Sequence, residues 1–250
     1  MKLSFQLYSS RNFPPIADQI AALAKLGYKN VEPYGPIYAD LATFKAALDD
    51  NGVAAPSGHF DLNMLEGDLP RAIEIARTLG MQLVIAPYLA PSDRPTDGAG
   101  WRTFGERLVP IAQGLKAAGL AFAWHNHDFE FAALPDRSLP IDALLSASPL
   151  IGLEFDVAWA VKGGVDASGY IARNADRIVA IHMKDMAKDN SRPQEEGWAD
   201  VGYGSMPWAD LWPAIEKTQV TVVVMEHDNP TSFIRFAENS AKGVARLGIS

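Results

Sequence analysis

Ala123-Trp124-His125-Asn126-His127-Asp128-Phe129-Glu130-Phe131 closes the apolar run Leu120 to Trp124 with two histidines and two carboxylates. An apolar run that stops on ligand-type residues reads as a buried strand whose last residues leave the sheet and point into a cavity. Three later stretches share the design. Gly152-Leu153-Glu154-Phe155-Asp156 runs from apolar to acid, Ile178 to Ile181 runs into His182-Met183-Lys184-Asp185, and Val220 to Met225 runs into Glu226-His227-Asp228. A closed parallel sheet with all its carboxyl ends at one mouth brings four such strand ends together most simply. The expected fold class is therefore α/β, a single (β/α)8 TIM barrel forming one domain over residues 1–250, with the functional site at that mouth.

Outward from this strand, short apolar runs alternate with amphipathic ones. Leu3 to Tyr8 is the first predicted strand; after Pro14-Pro15, Ile16, Ile20, Leu23 and Ala24 stripe one helical face until Gly27. Asn30 to Pro33 is the second strand, Leu41, Phe44 and Leu48 mark a helix stopped at Asn51-Gly52, and Val53 to His59 is the third strand. Helix Leu69 to Ala76, strand Leu83 to Ala86 and helix Phe104 to Leu115 lead to the opening stretch. Beyond it lie helices at Ile141 to Leu145, around Tyr170 to Asn174, from Trp208 to Ile215 and from Phe233 to Val244. Eight strand-then-helix units need no topology beyond a barrel. An open doubly wound sheet would carry a glycine-rich phosphate turn after its first strand, and Ser9-Ser10-Arg11-Asn12-Phe13 is not one. The two longest interruptions, Pro87 to Gly100 and Asp185 to Met206, fall after strands and so at the catalytic mouth.

Bulk properties narrow the function. The length of 250 residues matches one such barrel, and a hydrophobic content of 48% supplies its core. A net charge of -8 gives no basic footprint for DNA or RNA, so the expected partner is a small polar molecule. The absence of cysteine closes thiolate chemistry and cysteine-based zinc sites. No run reaches the roughly 18 apolar residues of a membrane span, and Met1 to Phe5 has no long apolar signal core, so cytoplasm is the expected compartment. A homo-oligomer is left open.

His125 to Phe131, Asp156-Val157-Ala158-Trp159, His182 to Asp185, Val201-Gly202-Tyr203-Gly204 and Glu226-His227 together resemble the sugar phosphate isomerase and epimerase family with the xylose isomerase-like barrel. The resemblance spans essentially the whole chain. It implies a sugar substrate and a divalent metal held by a Glu after strand five, an Asp after strand six, a His after strand seven and a Glu after strand eight. Asp156, His182 and Glu226 match the last three. Where relatives end strand five in Glu-Asn-His, this chain has His125-Asn126-His127, so the first ligand is His125 or a Glu130 that folds back. Two carboxylates with one or two imidazoles suit Mn, Zn, Fe or Co better than Mg.

Such an ion would grip adjacent oxygens of a keto-sugar and acidify the neighbouring C–H, and Glu226, His127 or Glu130 would act as the base. Isomerisation or epimerisation of a sugar or keto-sugar, phosphorylated or not, is the first expectation. Dehydratase (keto-sugar or inosose) or keto-glycoside lyase or hydrolase activity shares its first step. A non-catalytic sugar-binding barrel and an abasic-site endonuclease complete the field, the latter opposed by the negative charge and by only five histidines. Lys184 shares a strand face with His182 and would neutralise an enediolate or hold a substrate oxygen. His59 and Glu32, at strand ends, and Trp159 are further substrate-binding candidates, Trp159 and Trp198 by stacking on a sugar face. Against these stand plain packing for the tryptophans, a hydrogen-bonded core role for His59, a supporting inner-barrel role for Glu154 and for Glu32, and an outward-facing His227.

Overall fold

The computed structural model describes residues 1–249. Seven strands come first, β1 (Lys2–Gln6), β2 (Val31–Glu32), β3 (Ser57–His59), β4 (Leu83–Ala86), β5 (Ala121–His125), β6 (Ile151–Asp156) and β7 (Ile178–Met183). A small antiparallel pair, β8 (Asp185–Met186) and β9 (Trp198–Ala199), precedes the last barrel strand, β10 (Val222–Met225). The helices are α1 (Ile16–Lys25), α2 (Leu41–Asn51), α3 (Leu62–Gly67), α4 (Leu69–Leu79), α5 (Gly98–Ala117), α6 (Pro140–Leu145), α7 (Val157–Lys162), α8 (Ala167–Arg173), α9 (Trp208–Ile215) and α10 (Phe233–Arg246). Among the described residues no helix is long and apolar enough to cross a membrane.

The eight barrel strands are parallel and follow the order β2-β1-β10-β7-β6-β5-β4-β3. Backbone bonds from Val31 N to Ala54 O (2.9 Å) and from His59 N to Pro33 O (2.8 Å) draw the two ends of this order together into a nearly closed barrel. Period-two alternation then separates two apolar populations. Phe5, Phe122, Trp124, Leu153, Phe155, Ile181 and Met225 face outward into the large core beneath the helices. Leu83, Ile85, Ala123 and Ala180 face inward as a small separate cluster. Two residues beyond Ala123 and Ala180 on the same inward rows come His125 and His182, and Glu154 of β6 pairs in register with His125, so polar side chains lie above the apolar cluster.

Helix starts are written locally. Asp40, Asp68, Asp97 and Asp166 each accept a hydrogen bond from the backbone N–H three residues on, satisfying a donor that the helix leaves free. Gly52 and Gly80 stop α2 and α4 in the left-handed conformation.

Three predicted elements differ in extent. The expected strand Val53 to His59 forms only from Ser57, because Pro56 has no N–H for a ladder; its carbonyl instead accepts from Gln82 N and Leu83 N. The expected strand Leu3 to Tyr8 ends at Gln6, whose side-chain oxygen accepts from Tyr8 N and turns Leu7–Ser10 into a 3-10 helix. The polar loop after β7 contains the β8–β9 pair. It is organised by Asp185, whose carboxylate accepts from the backbone N–H groups of Gly202, Gly204 and Met206. A Cβ at Gly204 would lie 2.2 Å from Asp185 Oδ1, which accounts for the glycine there.

Candidate metal centre

Four strand ends converge. His125 ends β5, Asp156 ends β6, His182 lies in β7 and Glu226 follows β10. One ligand atom from each lies within 4.8 Å of the other three, and all four side chains are buried. Asp156 also caps α7: Oδ1 accepts from Trp159 N at 2.9 Å, which fixes the rotamer, while Oδ2 is buried without a hydrogen-bond partner. Asn126 locks the neighbouring strand end, exchanging two 3.0 Å hydrogen bonds with the Asp156 backbone.

Beneath this group a single carboxylate orients the imidazoles. Glu154 Oε2 lies 3.1 Å from His125 Nδ1, 3.1 Å from His182 Nε2 and 2.7 Å from His59 Nε2. Each of these histidines keeps one nitrogen on the carboxylate and has the other free for an upper partner. For His182 the free nitrogen is Nδ1, 3.1 Å from Glu226 Oε2. Burial acts against charge on His59, but Glu32 and Glu154 outweigh it and lift its pKa to about 9. Burial and then the neighbouring His182 push His125 down to about 4, so it rests as the neutral imidazole a metal requires.

Lys184 is fully buried directly above. Its Nζ lies 2.6 Å from Asp228 Oδ2, 3.1 Å from Glu226 Oε2 and 3.8 Å from Asp156 Oδ2. Burial disfavours the ammonium, yet Asp228, Glu226 and Asp156 hold its pKa above the usual lysine value. Burial likewise disfavours charge on Glu226, yet Lys184 and His182 keep its carboxyl well below the usual range. Trp159 and Trp198 wall this ammonium, their ring centroids 4.8 and 4.6 Å from Nζ.

A cavity of about 470 Å³ opens above the group, bordered by Tyr8, Tyr34 and Tyr88 at the rim and by His59, His125, His127 and Glu226 deeper in. His127 stacks on Phe129 at 5.8 Å, and its Nδ1 is buried without a partner. Burial, then His125, holds its pKa well below 6.5.

Of the residues singled out in the sequence, His125, Asp156, His182 and Glu226 come together, with His59 and His127 beside them on the cavity wall. Glu130 does not join them. It folds back, but to the outer face of β5, where Oε1 accepts from Trp124 Nε1 (2.9 Å) and Oε2 from His127 N (2.8 Å). Both of its oxygens are thus engaged on the helix side of the sheet, and of the two candidates for the first ligand it is His125 that stands with Asp156, His182 and Glu226. Of the two places expected for Glu32, at the substrate or inside the barrel in support of the site, the structure has the second. It is buried below His182, accepting from His182 Nε2 (2.8 Å), Gln6 Nε2 (2.9 Å) and the Ser57 hydroxyl. Trp159 is half-buried behind the wall, facing Lys184, and is not among the residues that border the cavity. Asp228, Tyr8, Tyr34, Tyr88 and Asp61 border the cavity and were not anticipated. Asp228 was legible, since it stands two residues after Glu226 and shares its face.

The donor set fits a divalent ion of the Mn, Zn, Fe or Co type, with two imidazoles, two carboxylates and an unpartnered Asp156 oxygen among them. Residues 20–247 match a family model described as xylose isomerase-like TIM barrel. The rhizopine catabolism protein MocC of Rhizobium meliloti is 26% identical over 202 residues, covering 73% of this chain and 61% of its own length. A sugar phosphate isomerase/epimerase from Parabacteroides distasonis superposes with a TM-score of 0.80 at 20% identity, over 96% of this chain and 92% of that one. The IolI protein, solved with a zinc atom bound, superposes with a TM-score of 0.79 at 14% identity, over 99% and 98%. At these identities the two superpositions establish likeness of fold.

Proposed function

The chain belongs to the xylose isomerase-like TIM barrel family, and from that premise we propose that it is a metal-dependent isomerase or epimerase of a sugar or keto-sugar. The observation that carries the reading is the convergence of His125, Asp156, His182 and Glu226 beneath an open cavity, with Asp156 Oδ2 buried and unpartnered. His125 through Nε2, Asp156 through Oδ2, His182 through Nδ1 and Glu226 through its carboxylate would hold the ion. When bound, a divalent ion supplies a Lewis acid that polarises a carbonyl and acidifies the adjacent C–H.

The protein's own groups then handle the proton. Glu226 borders the cavity and is kept ionised by Lys184 and His182, so it can accept a proton from the carbon beside the carbonyl. His127 borders the same cavity as a neutral imidazole and offers the second site for the transferred proton. A positioned base contributes typically about 10²- to 10⁴-fold. Lys184, buried behind the cavity, keeps Glu226 in place and ionised.

The test combines metal content of the purified protein with solvent-deuterium exchange into a panel of ketoses, for the wild type and Glu226→Gln. Exchange lost with metal retained assigns the base to Glu226. Exchange and metal lost together assign it as a ligand. Wild-type exchange rates in the variant would refute both roles, and a wild type that exchanges no ketose would refute the reading.

A further inference from the structure

The cavity is polar, and the one cation on its border, the His59 imidazolium, is held between two buried carboxylates, Glu32 at 3.1 Å and Glu154 at 2.7 Å. Besides Glu226, its border carries Asp61 and Asp228, and among the described residues no lysine or arginine borders it. The nearest cations are committed elsewhere. Lys184 is fully buried and paired with Asp228 and Glu226. The Arg11 guanidinium lies 3.8 Å over the Tyr8 ring and donates to the carbonyls of Tyr8 and Asp228. Arg94 lies 3.4 Å over Phe129 and donates to Leu89 O and the Tyr88 hydroxyl. Lys162 stacks on Trp159 and Trp198, outside the border. A divalent ion would not reverse this balance, because Asp156 and Glu226 together match its two charges, Lys184 is matched by Asp228, and His59 is matched by Glu32 and Glu154. Asp61 remains over.

A phosphoryl group is recognised by arginine forks, lysines or clustered backbone N–H groups. This mouth offers instead three tyrosines, two of which, Tyr8 and Tyr34, meet edge to face at 5.4 Å, together with carboxylate acceptors. Tyrosine faces suit the C–H surface of a sugar ring, and carboxylates accept hydrogen bonds from its hydroxyls. We infer that the substrate is an uncharged, polyhydroxylated keto-sugar or cyclic ketose and not a sugar phosphate, with Asp61 contributing to the exclusion of phosphate. This rests on the isomerase or epimerase reading above and narrows its substrate class.

The test pairs probes that differ only in phosphate. Manganese-loaded wild-type protein is offered D-fructose against D-fructose 6-phosphate and D-ribulose against D-ribulose 5-phosphate, with binding by calorimetry and solvent-deuterium exchange by NMR as separate readouts. The neutral member should bind and exchange at least about tenfold better in each pair, as like charge at close range costs that much even in a well-screened site. Inorganic phosphate should not compete. Asp61→Asn, which keeps a side-chain oxygen to cap α3, should narrow the ratio severalfold, and an unmoved ratio would overturn the role given to Asp61. A phosphorylated probe that outperforms its neutral partner would overturn the substrate class while leaving the reaction standing. Binding of neutral ketose without exchange of any probe would overturn the reaction and keep the preference for uncharged ligands.

Discussion

Nδ1 of His125 lies 3.1 Å from Oε2 of Glu154, and this contact decides which imidazole nitrogen is left for a metal. The same oxygen meets His182 Nε2, so one interior carboxylate sets two of the four candidate ligands. Removing a partner that orients a metal-ligating histidine typically weakens metal binding about 10- to 100-fold. Glu154→Gln should show that loss in calorimetric titration with Zn²⁺ or Mn²⁺, with the circular dichroism spectrum unchanged. An unaltered affinity would mean that packing alone orients the rings.

Glu130 should behave as a structural residue. Burial lifts its pKa to about 7, against the opposing pull of the Trp124 indole and the His127 N–H. In Glu130→Gln the amide NH₂ must face one of two buried N–H donors, and an unsatisfied buried donor costs about 1–3 kcal/mol. Urea denaturation should register that loss while metal stoichiometry stays at the wild-type value. Loss of metal from this variant would return Glu130 to the ligand set.

The barrel was legible because its signals are local. Strand ends such as Glu154-Phe155-Asp156 and His182-Met183-Lys184 carry both the period-two alternation and the polar switch within a few residues. The place of Glu130 was not legible because its partner, the Trp124 indole, lies on the outer face of the same strand, and spacing alone does not reveal to which face a loop returns. The tyrosine rim was invisible for a different reason. Tyr8, Tyr34 and Tyr88 follow three separate strands, and it is the parallel pairing of β1 with β2 that makes neighbours of Tyr8 and Tyr34, which are 26 residues apart.

Lys184 should carry a large share of the stability of the metal-free protein. Breaking a buried ion pair from one side leaves its partner's charge uncompensated and costs about 3–5 kcal/mol; here Asp228, Glu226 and Asp156 all lose their cation. Lys184→Met should be destabilised by about that amount in chelator, and the gap to the wild type should narrow with added Mn²⁺, which would neutralise Asp156 and Glu226. Denaturant midpoints with and without metal check both parts. A gap that metal leaves unchanged would show that the ion and the ammonium do not share these carboxylates.

Away from the centre, Glu195 ties the loop between β8 and β9 to the start of α10. It accepts from Thr231 N (2.7 Å), Thr231 Oγ1 (2.7 Å), Arg235 Nη2 (2.6 Å) and Arg192 Nη1 (2.9 Å), and it is almost fully buried. Burial opposes its charge, yet these donors bring its pKa down to about 2 from the usual 4.5. The native state therefore binds fewer protons than the unfolded state between those values, and its stability rises with pH across them. The contribution is fully present above pH 4.5 and is lost as the pH falls towards 2. At about 1.4 kcal/mol per unit it amounts to roughly 3 kcal/mol. The stability gap between wild type and Glu195→Gln in urea should be widest from about pH 5 to 7 and should shrink steadily below about 4.5. A gap constant across that window would show that Glu195 holds the loop by hydrogen bonding alone, without a contribution from its charge.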